Sequence, residues 1–164
     1  MLVLGIDPGI AITGYGIIKQ KNSRNEVLDF GYIKTKANSE LPDRLIKIHD
    51  ELYNLIKKYK PDAVAVEQIF FNKNAKTAFI VGQARGIVVF TAAECGLQVF
   101  EYTPLQVKQA VAGYGRASKY QVQQMTTALL GLKETPKPDD AADALAIAIC
   151  HINNYRMSQL LKKV

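Results

Sequence analysis

Residues 138–152 read PDDAADALAIAICHI, and Asp139, Asp140 and Asp143 run directly into seven consecutive apolar residues, Ala144 to Cys150. A helix that is apolar on every side belongs in a protein interior. Carboxylates at its entrance then stand at the rim of that interior, where ionising them is costly. Asp140 and Asp143 are three residues apart and project from one helix face. Asp139 has two readings, as the helix N-cap or as a third member of the acidic face.

Two further acids stand at the ends of apolar runs. LVLGIDPG (2–9) reads as a buried strand that stops after Asp7 at a Pro-Gly turn, and PDAVAVEQ (61–68) as a strand ending at Glu67. Asp7 alone could equally start an Asp-Pro-Gly turn, and Asp140 could merely favour the helix dipole. Their conjunction says more. In α/β sheets, functional groups gather outside the strand ends. A helix laid across those ends would bring Asp7, Glu67, Asp140 and Asp143 together. The sequence neighbours of Asp7, Glu67 and Asp143 are Ile, Pro, Val, Gln and Ala, with no Lys or Arg beside them. A hard divalent cation with oxygen ligands is the natural counter-charge, and Mg²⁺ fits that description.

The rest of the chain supplies the sheet. ITGYGIIKQ (12–20) and EVLDFGYIKT (26–35), separated by a polar turn, complete a three-stranded antiparallel meander with the first run. Gly14, Gly16 and Gly31 inside it imply bulges or close backbone approach. From Leu41 to Tyr59, apolar residues recur at alternating steps of four and three, with Pro42 in the first turn and lysines at the end, which predicts an amphipathic helix. A helix over the stretch 74–96, a strand at LQVFEY (97–102) and two helices joined around Gly113 and Gly115 follow. The order βββαβαβ and then helices predicts an α/β fold with a mixed sheet flanked by helices. One domain suits 164 residues, and 155–164 reads as a C-terminal tail.

Bulk composition narrows the function. No apolar run approaches the ~20 residues of a membrane span, and the N-terminus lacks a basic leader, so the expectation is a cytoplasmic protein. Cys95 and Cys150 form no CxxC pair and read as two buried thiols; His49 and His151 are isolated in the sequence. Net charge is +6, and residues 70–125 hold six Lys or Arg against two acids. That asymmetry favours a polyanion-binding surface built from Lys73, Lys76, Arg85, Lys108, Arg116 and Lys119. No Ser/His/Asp or Cys/His constellation suggests a protein nucleophile.

Several long segments, LGIDPG with TGYG, VEQIFF with KNAKTAF and GQARG, FEYTPLQVKQAVAGYGRASKYQVQ, and DAADALAIAICH, occur in this order over residues 2–152. Together they resemble the RuvC family of bacterial Holliday junction resolvases. The resemblance implies an RNase H-like fold of the retroviral integrase superfamily, with a five-stranded mixed sheet. It implies a homodimer with two separated acidic clefts that nicks a four-way DNA junction symmetrically, in partnership with the RuvA–RuvB branch-migration complex. The catalytic, metal-binding acids carried over are Asp7, Glu67, Asp140 and Asp143. Two Mg²⁺ ions roughly 4 Å apart, with Mn²⁺ as a substitute, are implied at the scissile phosphate, for in-line attack by water leaving 5′-phosphate and 3′-hydroxyl ends. Phe70 resembles the family's base-stacking aromatic, with Phe71 as the competing position. Lys108 and Lys119 match basic positions suited to backbone phosphate, while Arg85 has a structural alternative. Two other readings compete. One is a junction-binding module without catalysis. The other is a fragment of an actin-like or sugar-kinase-type phosphotransferase, because GIDPG resembles a first phosphate loop; the chain holds no second such loop.

Overall fold

The alternation of apolar runs and turn residues resolves into a sheet with a helical layer on each face. A computed structural model describes the backbone of residues 1–22, 24–68 and 75–161, and the side chains of all these except 75–77 and 158–161. Strands β1 (Leu2–Asp7), β2 (Ile12–Lys21) and β3 (Arg24–Lys34) form the meander. They are followed by α1 (Leu41–Tyr59), β4 (Ala63–Glu67), α2 (Ala75–Glu94), β5 (Val99–Tyr102), α3 (Pro104–Ala112), α4 (Lys119–Leu129) and α5 (Asp139–Leu161). The sheet order is β3-β2-β1-β4-β5. β1 pairs antiparallel with β2 and parallel with β4, and β4 pairs parallel with β5.

Side-chain alternation along the strands divides the core in two. Leu4, Ile6, Ile17, Ile33, Val64 and Val66 face α1 and α2. Val3, Ile18 and Ala65 face the layer of α3, α4 and α5. The stretch Ala144–Cys150 is buried throughout, as its composition predicts. α5 packs on β1 and β2 because two strand positions lack a side chain. A Cβ on Gly5 would collide with the Ala144 carbonyl oxygen, and one on Gly14 with the Asp140 carbonyl oxygen. Close approach is therefore the role of Gly14. The register irregularity of the meander falls between Ile17 and Ile18, one residue past Gly16 and away from Gly14 and Gly31.

Three expectations need correction. α5 continues to Leu161, so most of the stretch read as a tail from residue 155 is helical. Asp139 is the first helical residue, not the residue before it. Cys150 is buried, but Cys95 is only half-buried.

Candidate active site

Ile6 on β1 and Val66 on β4 are direct partners in the parallel ladder. Asp7 and Glu67 are the next residues on each strand, both at the carboxyl end of the sheet. Ile6 and Val66 face α1 and α2, so alternation sends Asp7 and Glu67 to the α5 side. There they meet the first turns of α5. Burial, followed by the charges of Asp143, Glu67 and Asp140, pushes the Asp7 carboxyl up from 3.8 to about 7. Burial first, with Asp143 beside it, also raises Glu67. Asp143 is raised mainly by burial, against the opposing pull of Lys119. The four predicted acids therefore share one electrostatic environment.

Lys119 corrects the expectation that no basic residue accompanies the acids. Its Nζ lies 2.9 Å from Asp143 Oδ2 and 3.4 Å from Asp139 Oδ2. It is the first residue of α4, placed by a capping box. Ser118 Oγ accepts from Gln121 N at 3.2 Å, and Gln121 Oε1 accepts from Ser118 N at 2.8 Å. Thr103 and Gln106 make the same reciprocal pair at the start of α3, which carries Lys108. The Lys108 charge lowers the Glu67 pKa, opposing the dominant effect of burial. Glu67, Asp143, Lys108 and Lys119 line one pocket, floored by Val107, Val122 and Ile147.

The other predicted contacts divide. Arg116 is exposed in the turn between α3 and α4, and makes no ion pair among the described residues. Arg85 Nη2 contacts Glu101 Oε1 at 2.5 Å, joining α2 to β5, which favours its structural alternative. Phe70, Phe71 and Lys73, and the side chain of Lys76, lie outside the described residues. His151, isolated in the sequence, is buried in the fold. Its Nδ1 lies 2.8 Å from the Tyr102 hydroxyl, and its ring lies 4.4 Å from that of Phe100. Tyr102 is the ladder partner of Glu67, so this bond braces α5 against the strand beside one acid. Two residues 49 apart carry no local pattern that would have disclosed it.

Could these residues hold a metal? Among the described residues no group of three or more His, Cys, Asp or Glu is gathered closely enough to hold a metal ion as it stands. The donors are nevertheless hard carboxylate oxygens at a rim, and burial, followed by the charges of the neighbouring acids, pushes the Asp7 carboxyl up to about 7. That set fits Mg²⁺, which takes one or two carboxylates per ion and completes its shell with water and substrate phosphate.

An RNase H-like fold, with acids gathered at the carboxyl end of the central strands, defines the class. The family model described as crossover junction endodeoxyribonuclease RuvC matches residues 3–151, and the chain belongs to that family. Its sequence is 56% identical over 161 residues to the RuvC of Ruminiclostridium cellulolyticum, covering 98% of this chain and 97% of the relative. It is 59% identical over 157 residues to that of Desulfitobacterium hafniense, covering 96% and 95%. The structure of T. thermophilus RuvC in complex with Holliday junction substrate superposes with a TM-score of 0.88 at 39% identity, covering 96% of each chain. Membership sets aside the phosphotransferase alternative. Nucleases of this family are metal-dependent. Among the described residues no helix is long and apolar enough to cross a membrane.

Proposed function

We propose that the chain is a structure-selective endonuclease that resolves four-way DNA junctions by paired, symmetric, Mg²⁺-dependent nicks during recombination and repair. The convergence of Asp7, Glu67, Asp140 and Asp143 on one edge of the sheet, with Asp7 raised to about 7, carries this reading.

Asp7, Glu67, Asp140 and Asp143 would hold Mg²⁺, or Mn²⁺ in its place, whose chemistry is to activate the attacking water and stabilise the departing 3′ oxygen. Asp7 and Glu67 are fixed by the sheet register, and Asp140 and Asp143 by the helix seated on Gly5 and Gly14, so the oxygen donors are pre-positioned. Lys108 and Lys119 hold the backbone phosphate beside the acids. Arg116, Lys73 and Lys76 extend that contact, with Arg85 as a further candidate, and Phe70 stacks on a base unpaired at the crossover.

Two symmetric cuts need two sites, and α2 offers the means of pairing them. Phe79, Gly82, Gly86 and Phe90 recur on one helix face; all four are exposed, with Phe79 at 67% and Phe90 at 56%. Among the described residues nothing lies within 4 Å of a Cβ placed on either glycine. A second copy packed on this face covers the phenylalanines and brings two helices close at the glycines, giving a homodimer. The same family resemblance supports RuvA–RuvB as the junction-moving partner, with the cytoplasm as the place of work.

The test separates binding from cutting. Asp7→Asn should still retard a synthetic junction in Ca²⁺ while its cleavage in Mg²⁺ falls at least ~100-fold. Cleavage at the wild-type rate would overturn the assignment, and a wild-type chain that binds but never cuts would favour the non-catalytic module.

A further inference from the structure

The charge count of residues 1–69 is balanced, ten basic against nine acidic, yet the fold sorts these charges in space. Lys34 and Lys36 at the end of β3 and Arg44 and Lys47 on α1 line one open pocket, and among the described residues no acidic side chain lines it with them. Among the described residues Lys34, Lys36 and Arg44 make no ion pair. Lys47 has only the exposed pair to Glu51 at 3.4 Å, a kind of contact worth little.

The pocket is built rather than merely charged. Arg44 Nε donates to Thr35 Oγ1 at 2.8 Å and Nη2 to the Ile10 carbonyl at 3.2 Å. The buried Thr35 hydroxyl donates to the same carbonyl at 2.6 Å. The guanidinium is therefore held in place by neutral acceptors and keeps its charge for a ligand. Ile10 belongs to the loop that leaves Asp7, so this anchor ties the basic pocket to the loop behind the first acid.

Its position relative to the acids follows from the register. Gly14 pairs with Asp7 on one side and Tyr32 on the other, and Lys34 lies two residues beyond Tyr32. Two strand spacings and two residues place the Lys34 Cα roughly 12 Å from that of Asp7. Lys108 lies near Glu67, toward the β4–β5 side of the sheet. The acids thus stand between two basic groups.

We propose that the Lys34–Lys36–Arg44–Lys47 pocket is a second phosphate-binding site, which holds the DNA backbone on the opposite side of the acids from Lys108 and Lys119. The inference rests on the junction-nuclease reading and extends the DNA track across the open edge of the sheet. Phosphate contacts of this kind set register on the substrate without reading sequence.

The experiment measures binding of a synthetic four-way junction in Ca²⁺ over a salt series, for the wild-type chain and for Lys34→Ala/Lys36→Ala/Lys47→Ala. All three side chains are exposed, so the fold should survive, and the melting temperature checks it. Each lost phosphate contact removes about 0.9 from the slope of log K against log salt. The triple variant should lower the slope by about two to three and weaken binding roughly tenfold or more near 100 mM salt. An unchanged slope overturns the proposal and leaves the pocket to an acidic protein surface. If the wild-type chain shows no preference for the junction over linear duplex, the nuclease reading itself fails, which the same titration reveals separately.

Discussion

Lys119 Nζ stands 2.9 Å from Asp143 Oδ2, so an ammonium occupies the acidic edge that a divalent cation would need. Lys119 and a metal therefore compete for Asp143 in the free protein. Lys119→Ala should bind Mg²⁺ more tightly in calorimetric titration, by roughly two- to fivefold given the exposed end of the pair. It should also bind the junction more weakly, with a lower salt slope. Unchanged or weaker Mg²⁺ affinity would show that the lysine is not a competitor.

The Asp7 carboxyl, pushed up to about 7 chiefly by burial, makes the metal-free fold pH-sensitive. Between pH 4 and 7 the unfolded chain is ionised at this position while the folded chain retains the proton. The native state then binds more protons, so stability falls as pH rises through that window, by an amount on the order of 4 kcal/mol. Glu67 and Asp143, also raised, act in the same direction. Asp7→Asn removes the penalty. Without metal at pH 7.5 it should melt about 8–16 °C above the wild-type chain, and the gap should close toward pH 4. A gap independent of pH would contradict the burial of a charge at Asp7.

Gly14 has no room for a side chain, because a Cβ would strike the Asp140 carbonyl. Gly14→Ala should push the start of α5 off the sheet and separate Asp140 and Asp143 from Asp7. A loss of about 1–3 kcal/mol is expected from overpacking, with junction cleavage reduced by more than junction binding. Thermal melts and parallel cleavage and gel-shift assays read the two effects.

The gathering of the acids was legible in the chain because Asp7 and Glu67 close apolar runs and Asp140 and Asp143 open one, a pattern that local hydropathy exposes. α5 was legible for the same reason. The pair of Lys119 with Asp143 was not, since it joins two helices 24 positions apart and only packing decides that they meet. Charge counting likewise missed the pocket around Arg44. Its cations are interleaved in sequence with Glu40 and Asp43, and the fold alone leaves those acids out of the pocket lining. His151 and Tyr102 meet through the packing of α5 on the sheet, which no spacing rule anticipates. The close approach at Gly14 could be read as a need for space, but not as the seat of the Asp140 turn.

The exposed face of α2 predicts the assembly. Phe90→Glu places a charge where a second copy would bury an aromatic ring. Sedimentation velocity should show a dimer for the wild-type chain and a monomer for the variant, with unchanged circular dichroism. Cleavage by the variant should lose its pairing, giving single nicks. A wild-type monomer, or a variant that remains dimeric, would rule out this face.

The most direct measurement is the strand-by-strand cleavage pattern on an immobile four-way junction, beside a linear duplex of the same sequence, with Mg²⁺ or with chelator. The account predicts nicks at symmetric positions on two strands of like polarity, with 5′-phosphate and 3′-hydroxyl ends, only on the junction and only with Mg²⁺. Equal cutting of the duplex, or cutting that persists in chelator, would contradict it.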